Sequence, residues 1–194
     1  MYYVCSLPLC RVAGNNTVSI TLTAILYHLA AHPSSLARLH REFDQVTADG
    51  ALSPTVTYKE AASLPYLVAV INEGFRIHPL FGYPVPRVVP KGGAEICGRW
   101  WPEGTVLGTS CGVPEKNKEV FGEDAESWRP ERWLVERERA ARMWDEVCAF
   151  GVGQRACIGQ HVSSLLLWFA ICSVCECCWI IVSLCGETRT LANQ

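Results

Sequence analysis

Residues 150–159 read Phe-Gly-Val-Gly-Gln-Arg-Ala-Cys-Ile-Gly and gather three glycines, an arginine and a cysteine ahead of a long apolar run. Gly151 and Gly153 can take positive φ, so the stretch can turn back on itself where other residues would strain. Cys157 falls at or just before the start of a helix, where free N–H groups and the positive dipole end favour a thiolate over a thiol. Gly159 removes a side chain one step later, which lets a flat ligand lie against the backbone. Arg155 adds a planar cationic fork suited to a carboxylate. Such a stretch could hold a metal ion through sulfur and clamp an acidic, flat cofactor beside it. The alternative is a glycine-rich turn with a buried cysteine packed as a small apolar residue.

Two other clusters invite chemistry. Asn15, Asn16 and Thr17 are an N-cap, or a loosened helix interior in which Thr17 offers a hydroxyl to a ligand or water; spacing favours the cap. Glu73 and Arg76, three apart, share a helix face. Their flanks, Val70, Ile71, Phe75 and Ile77, are apolar, so the pair should be desolvated and should need further partners.

The elements that must position these groups follow from periodicity. Val18, Leu22, Ile25, Leu26 and Leu29 predict a helix that Pro33 ends. Ser34 or Ser35 can cap a second, striped by Leu36, Leu39, Phe43 and Val46 and ended by Asp49-Gly50. Thr57 and Glu60 have capping-box spacing. Pro65 suits the first position of a helix whose buried side is Leu67, Val70, Ile71 and Phe75. Residues 84–110 read as strands and turns, 114–120 as one short helix, 121–134 as an ordered loop, and 136–144 as a charged, solvated helix. The whole is α+β and mainly α, with a small β-sheet region.

Composition narrows the function. The 194 residues are 49% hydrophobic and 19% charged with net charge −2. That is a globular composition with no basic surface for nucleic acid. Eleven cysteines without a leader argue against a secreted disulfide framework. Residues 162–185 are apolar or small except Glu176, long enough for a bilayer, but the favoured reading of their first half is a buried helix. Cys172, Cys175 and Cys178 share a helical face, but no fourth zinc ligand is evident.

Ala-Gly-Asn-Asn-Thr at 13–17, Glu-Gly-Phe-Arg at 73–76, Pro-Glu-Arg-Trp at 130–133 and the 150–159 loop occur in an order that resembles the carboxy-terminal half of cytochrome P-450, the haem-thiolate monooxygenases. Leu-Pro-Tyr-Leu at 64–67 and Phe-Gly-Glu-Asp-Ala at 121–125 are similar to fungal members of the pisatin demethylase type. The resemblance covers residues 13–170 and implies a single partial domain. It implies haem b held by Cys157 as axial thiolate, Arg155 and Arg87 as propionate clamps, Phe150 shielding the sulfur, and Gly151 and Gly159 shaping the loop. It implies a buried ion network of Glu73, Arg76 and Arg132. Thr17 would help deliver protons to dioxygen, Ala13 and Gly14 mark where the distal helix opens over the iron, and Leu80, Phe81, Gly82 and Tyr83 border the substrate pocket. An NADPH-dependent reductase, dioxygen and a small apolar organic substrate are the implied partners.

The sequence departs from that family in places. Asn16 stands where the family has an acid, which weakens a proton relay. Residues 111–116, with Pro114, and the tail from 171 are unlike it. Full members are more than twice as long and reside at the endoplasmic reticulum membrane through an amino-terminal anchor. The chain is therefore expected to be a fragment, cytoplasmic or membrane-associated through 162–185, with one haem face open, weak haem binding and poor turnover. The rival reading is an inactive haem-binding or membrane-associated remnant.

Overall fold

In the computed structural model, residues 6–53, 56–110 and 112–191 are described, with side chains from 13 to 175. Helix α4 (Pro65–Ile77) is its centre. Apolar residues surround almost its whole circumference, so it is buried on nearly every side: Leu67, Val70 and Ile71 are almost wholly inaccessible. Pro65 takes the first turn as expected. Leu64 gives the helix no side-chain cap; instead the Glu42 carboxylate reaches across from α2 (Pro33–Ala48). Its oxygens accept from the N–H groups of Tyr66 at 2.7 Å and Leu67 at 2.9 Å. A carboxylate at a helix start satisfies orphan donors and complements the dipole.

Helix α1 (Ser6–Ala31) lies against α4, α2 and α7 (Gln160–Leu191). The two helices α1 and α4 pack tightly at Gly74, where an added Cβ would overlap Cγ1 and Cδ1 of the fully buried Ile25. Residues 15–17 lie inside α1 rather than at its start, so the N-cap reading fails. The hydroxyls satisfy themselves within the helix: Thr17 Oγ1 donates to Ala13 O at 2.8 Å, Ser19 to Asn15 O, Thr21 to Thr17 O and Thr23 to Ser19 O. The second helix is also capped differently. Pro33 is its first residue and His32 its N-cap, while Ser35 is buried and accepts from Trp128 Nε1 at 3.3 Å. A proline with preset φ both ends one helix and opens the next.

The capping box forms as the spacing requires, Thr57 and Glu60 closing α3 (Tyr58–Ala61). Four strands make two antiparallel pairs: β1 (Val85–Val88) with β4 (Val106–Thr109), and β2 (Ala94–Ile96) with β3 (Arg99–Trp101). The β2–β3 turn has positive φ at both Cys97 and Gly98, which matches the right-handed strand twist. Residues 114–120 are not one helix. A 3-10 turn at Pro114–Lys116 breaks at Asn117, which then caps α5 (Lys118–Phe121) by accepting from Glu119 N–H. A second 3-10 turn, Pro130–Trp133, sits in the expected loop, and α6 (Arg137–Asp145) follows.

Leu167, Trp168, Ile171, Cys172 and Cys175 of α7 are buried in the core. The first half of 162–185 is therefore a packed helix. Among the described residues no helix is long and apolar enough to cross a membrane, and no group of three or more His, Cys, Asp or Glu could hold a metal ion. The Cys178 side chain lies outside the described residues.

Gly74→Ala should destabilise the chain by about 1–3 kcal/mol through overpacking against Ile25. Urea unfolding checks this, and a smaller loss from the same change in an Ile25→Ala background, which lacks Cγ1 and Cδ1, would locate the clash.

Candidate functional site

The site rests on a buried ion cluster. Glu73 and Arg76 are fully buried and joined by two hydrogen bonds, Nε to Oε2 at 2.8 Å and Nη2 to Oε1 at 2.7 Å. Arg132 Nε reaches the same Oε1 at 3.0 Å, Arg129 N–H donates to it at 2.9 Å, and Trp133 Nε1 donates to Oε2 at 2.9 Å. The remaining N–H groups of Arg76 go to the carbonyl oxygens of Glu115, Ala125 and Ser127. Those of Arg132 go to the carbonyl oxygens of Phe121, Asp124 and Ser127 and to Asp124 Oδ1. Each guanidinium has five donors, and every one is used. Glu73 and the partly exposed Asp124 balance the two positive charges. Helix α4 supplies Glu73 and Arg76 from one face, and the turn Pro130–Trp133 supplies Arg132 and Trp133.

An aromatic line runs from this cluster to the cysteine loop. Phe121 lies 6.3 Å from Trp133, and Trp133 lies 6.2 Å from Trp144. Trp144 meets Phe75 edge-on at 5.9 Å, and Phe75 meets Phe150 at 5.2 Å. Phe75 is the residue before Arg76, so the loop is seated on the same turn of α4 that carries the ion cluster.

The loop folds back as its glycines allow, with φ of +67° at Gly151 and +70° at Gly153. Three bonds close it: Gly151 N–H to Cys148 O at 3.0 Å, Ala156 N–H to Gly153 O at 3.1 Å, and Cys157 N–H to Phe150 O at 2.8 Å. Gln160 then begins α7, so Cys157 stands three residues before that helix. The cysteine is exposed, as are Arg155, Val152 (72%) and Ile158 (100%). It is therefore not the buried, apolar cysteine of the alternative reading. A Cβ at Gly159 would stand 3.8 Å from the Cys157 sulfur, so glycine leaves that flank of the sulfur clear.

Arg87 sits on β1, exposed, and donates to the carbonyl of Pro86. Neither Arg87 nor Arg155 has an acidic partner among the described residues. Thr17 is half-buried and Ala13 and Asn16 are exposed on α1, which runs unbroken through Gly14. Leu80 is half-buried; Phe81 and Tyr83 are exposed and touch edge-on at 5.8 Å; the Gly82 carbonyl accepts from Ser110 Oγ. A cleft of about 320 Å³ between Trp144, Phe150, Gly151 and Gln160 flanks the loop, and Cys157 does not line it.

Sequence reasoning missed three members. Trp133 as a donor to Glu73 was within reach, because Pro-Glu-Arg-Trp was already singled out. The Trp128 ring, stacked on His28 at 4.7 Å, had no spacing signal. Glu115 is fully buried, accepts from Cys148 N–H at 3.2 Å through Oε1, and leaves Oε2 without a partner. Burial pushes its carboxyl up to about 8, with the Cys148 bond and the Arg76 charge opposing.

The sequence was compared with known proteins. A family model described as Cytochrome P450 matches residues 6–175, somewhat more than the 13–170 read from the motifs. A cytochrome P450 monooxygenase of Aspergillus terreus is 45% identical over 157 residues, 80% of this chain and 32% of that protein. One from Alternaria alternata is 44% identical over 78% of this chain and 40% of its own length. Pisatin demethylase of Fusarium vanettenii is 42% identical over 82% of this chain and 30% of its own. The chain thus spans about a third of the length of these curated relatives.

Arg132→Met should cost about 3–5 kcal/mol in urea unfolding, since it leaves Glu73 and Asp124 short of a buried partner. Lys118→Met, which breaks the exposed Lys118–Glu123 pair, should cost under about 1 kcal/mol.

Proposed function

This chain belongs to the cytochrome P450 family, and we propose that it is the haem-thiolate portion of a monooxygenase, with Cys157 as the axial ligand of haem b. The observation that carries this is the Cys157 loop itself. Its sulfur is exposed at the foot of α7, its N–H is fixed to Phe150 O, and its flank at Gly159 is empty of side chain.

The donor set fits an iron porphyrin. A thiolate is the soft anionic ligand such an iron takes. Val152 and Ile158 offer exposed apolar contact beside it. Arg155 and Arg87, exposed and without acidic partners among the described residues, are suited to two propionates. When bound, thiolate-ligated haem supplies dioxygen activation and insertion of one oxygen atom into an apolar organic substrate, with electrons from an NADPH-dependent reductase.

The chain's own residues do the rest. Phe150, seated on Phe75, covers one side of the loop and would shield the sulfur when haem is bound. Thr17, with Ala13, Gly14 and Asn16 on the same helix, lines the oxygen-binding side and orders the water that delivers protons there. Asn16 holds such a water by hydrogen bonding but passes no proton of its own. Leu80, Phe81, Gly82 and Tyr83 form an apolar border for the substrate.

Adding haem to the purified chain, then reducing it under carbon monoxide, should give the red-shifted absorption band of a thiolate-bound ferrous complex. Cys157→Ala should abolish that band. An unchanged band in Cys157→Ala would assign the ligand elsewhere. No band in the wild-type chain would favour the inactive-remnant reading.

A further inference from the structure

We propose that Glu115 is a positioning residue for the Cys157 loop, tying Cys148, two residues before the loop, to the buried ion cluster. The bonds form one continuous path. Arg76 Nη1 donates to the Glu115 carbonyl at 2.9 Å. The side-chain Oε1 of the same residue accepts from Cys148 N–H at 3.2 Å. Cys148 O accepts from Gly151 N–H at 3.0 Å, and Phe150 O accepts from Cys157 N–H at 2.8 Å. Glu115 is therefore a side chain in a hydrogen-bonded route from the Glu73–Arg76–Arg132 cluster to the cysteine backbone.

A carboxyl is an unusual choice for that place. It is fully buried, and Oε2 faces no donor. The charge acting on it is Arg76 of α4, whose guanidinium is already engaged by Glu73. From the segment before the loop it meets the Cys148 N–H, and its chain neighbour Lys116 is exposed. Uncharged, the carboxyl serves Cys148 through Oε1 and stays dry. Ionised, it leaves a charge on Oε2 that nothing solvates, and water must enter to relieve it. Burial holds the neutral form up to about pH 8. The folded-state value is raised above the ordinary carboxyl value of 4.5, so its stabilising contribution is complete below that value and is lost as pH rises through about 8. The loop should loosen over the same window.

The effect on the loop does not need haem; its consequence for iron ligation rests on the reading of Cys157 given above. The test is peptide-resolved amide hydrogen exchange on the full, haem-free chain, corrected for intrinsic rates, from pH 6 to pH 9. In the wild type, protection of residues 148–157 should fall as pH rises through about 8. Glu115→Gln keeps the acceptor and cannot ionise, so its protection should stay flat. Glu115→Ala should exchange about tenfold faster in 148–157, the worth of one hydrogen bond, with α4 unchanged. Glu115→Gln that keeps the wild-type fall overturns the proposal. So does Glu115→Ala that leaves 148–157 unchanged, or that speeds α4 and the loop equally. The carbon monoxide spectrum separates the two readings: a missing wild-type band with these exchange effects sinks the haem assignment alone. A normal band in both wild type and Glu115→Ala, with unchanged exchange, sinks the Glu115 role alone.

Discussion

Ten guanidinium N–H groups, all satisfied in a space closed to water, are the constraint on which the chain depends. Neither Arg76 nor Arg132 could be buried without them, because an uncompensated charge in a low-dielectric interior costs several kcal/mol. Four backbone segments therefore have to converge. Helix α4 brings Glu73 and Arg76, residues 115 and 121–127 bring carbonyl oxygens, and the turn Pro130–Trp133 brings Arg132 and the indole of Trp133. Residues 121–134 contain little regular structure, and these bonds are what give them one conformation.

The cysteine loop inherits that order by two routes. One is apolar, through Trp133, Trp144, Phe75 and Phe150. Edge-to-face pairs of this kind contribute about 0.5–1.5 kcal/mol each beyond the area they bury. The other is polar, through Glu115 and Cys148. On the proposed reading of Cys157 as a metal ligand, tolerance in the loop is small, and both routes end at the segment that carries the sulfur.

Much of this was legible in the sequence where one physical rule acts locally. The capping box at Thr57 and Glu60, the opening of α4 at Pro65 and the positive φ of Gly151 and Gly153 each follow from residue type at one position. The burial of Glu73 with Arg76 followed from the apolar residues around them. What failed was local reasoning overruled by tertiary packing. Asn15, Asn16 and Thr17 suit a cap, yet α1 runs through them as one helix that packs against α4, α7 and α2. Ser35 suits a cap too, yet it is spent on Trp128 from ninety-three residues away. Glu115 could not be found at all, since an acid beside Lys116 reads as surface and only the folded chain encloses it.

The hydroxyl ladder along α1 carries a last implication. Thr17 has already given its one hydrogen to the Ala13 carbonyl at 2.8 Å. What it presents outward is a pair of lone pairs, so it meets a neighbouring water or ligand as a base-like acceptor. Donating to a ligand instead requires rotation about the Cβ–Oγ1 bond, which gives up the side-chain bond to the Ala13 carbonyl. The helix carbonyl one turn back thus sets which way the threonine's hydrogen points.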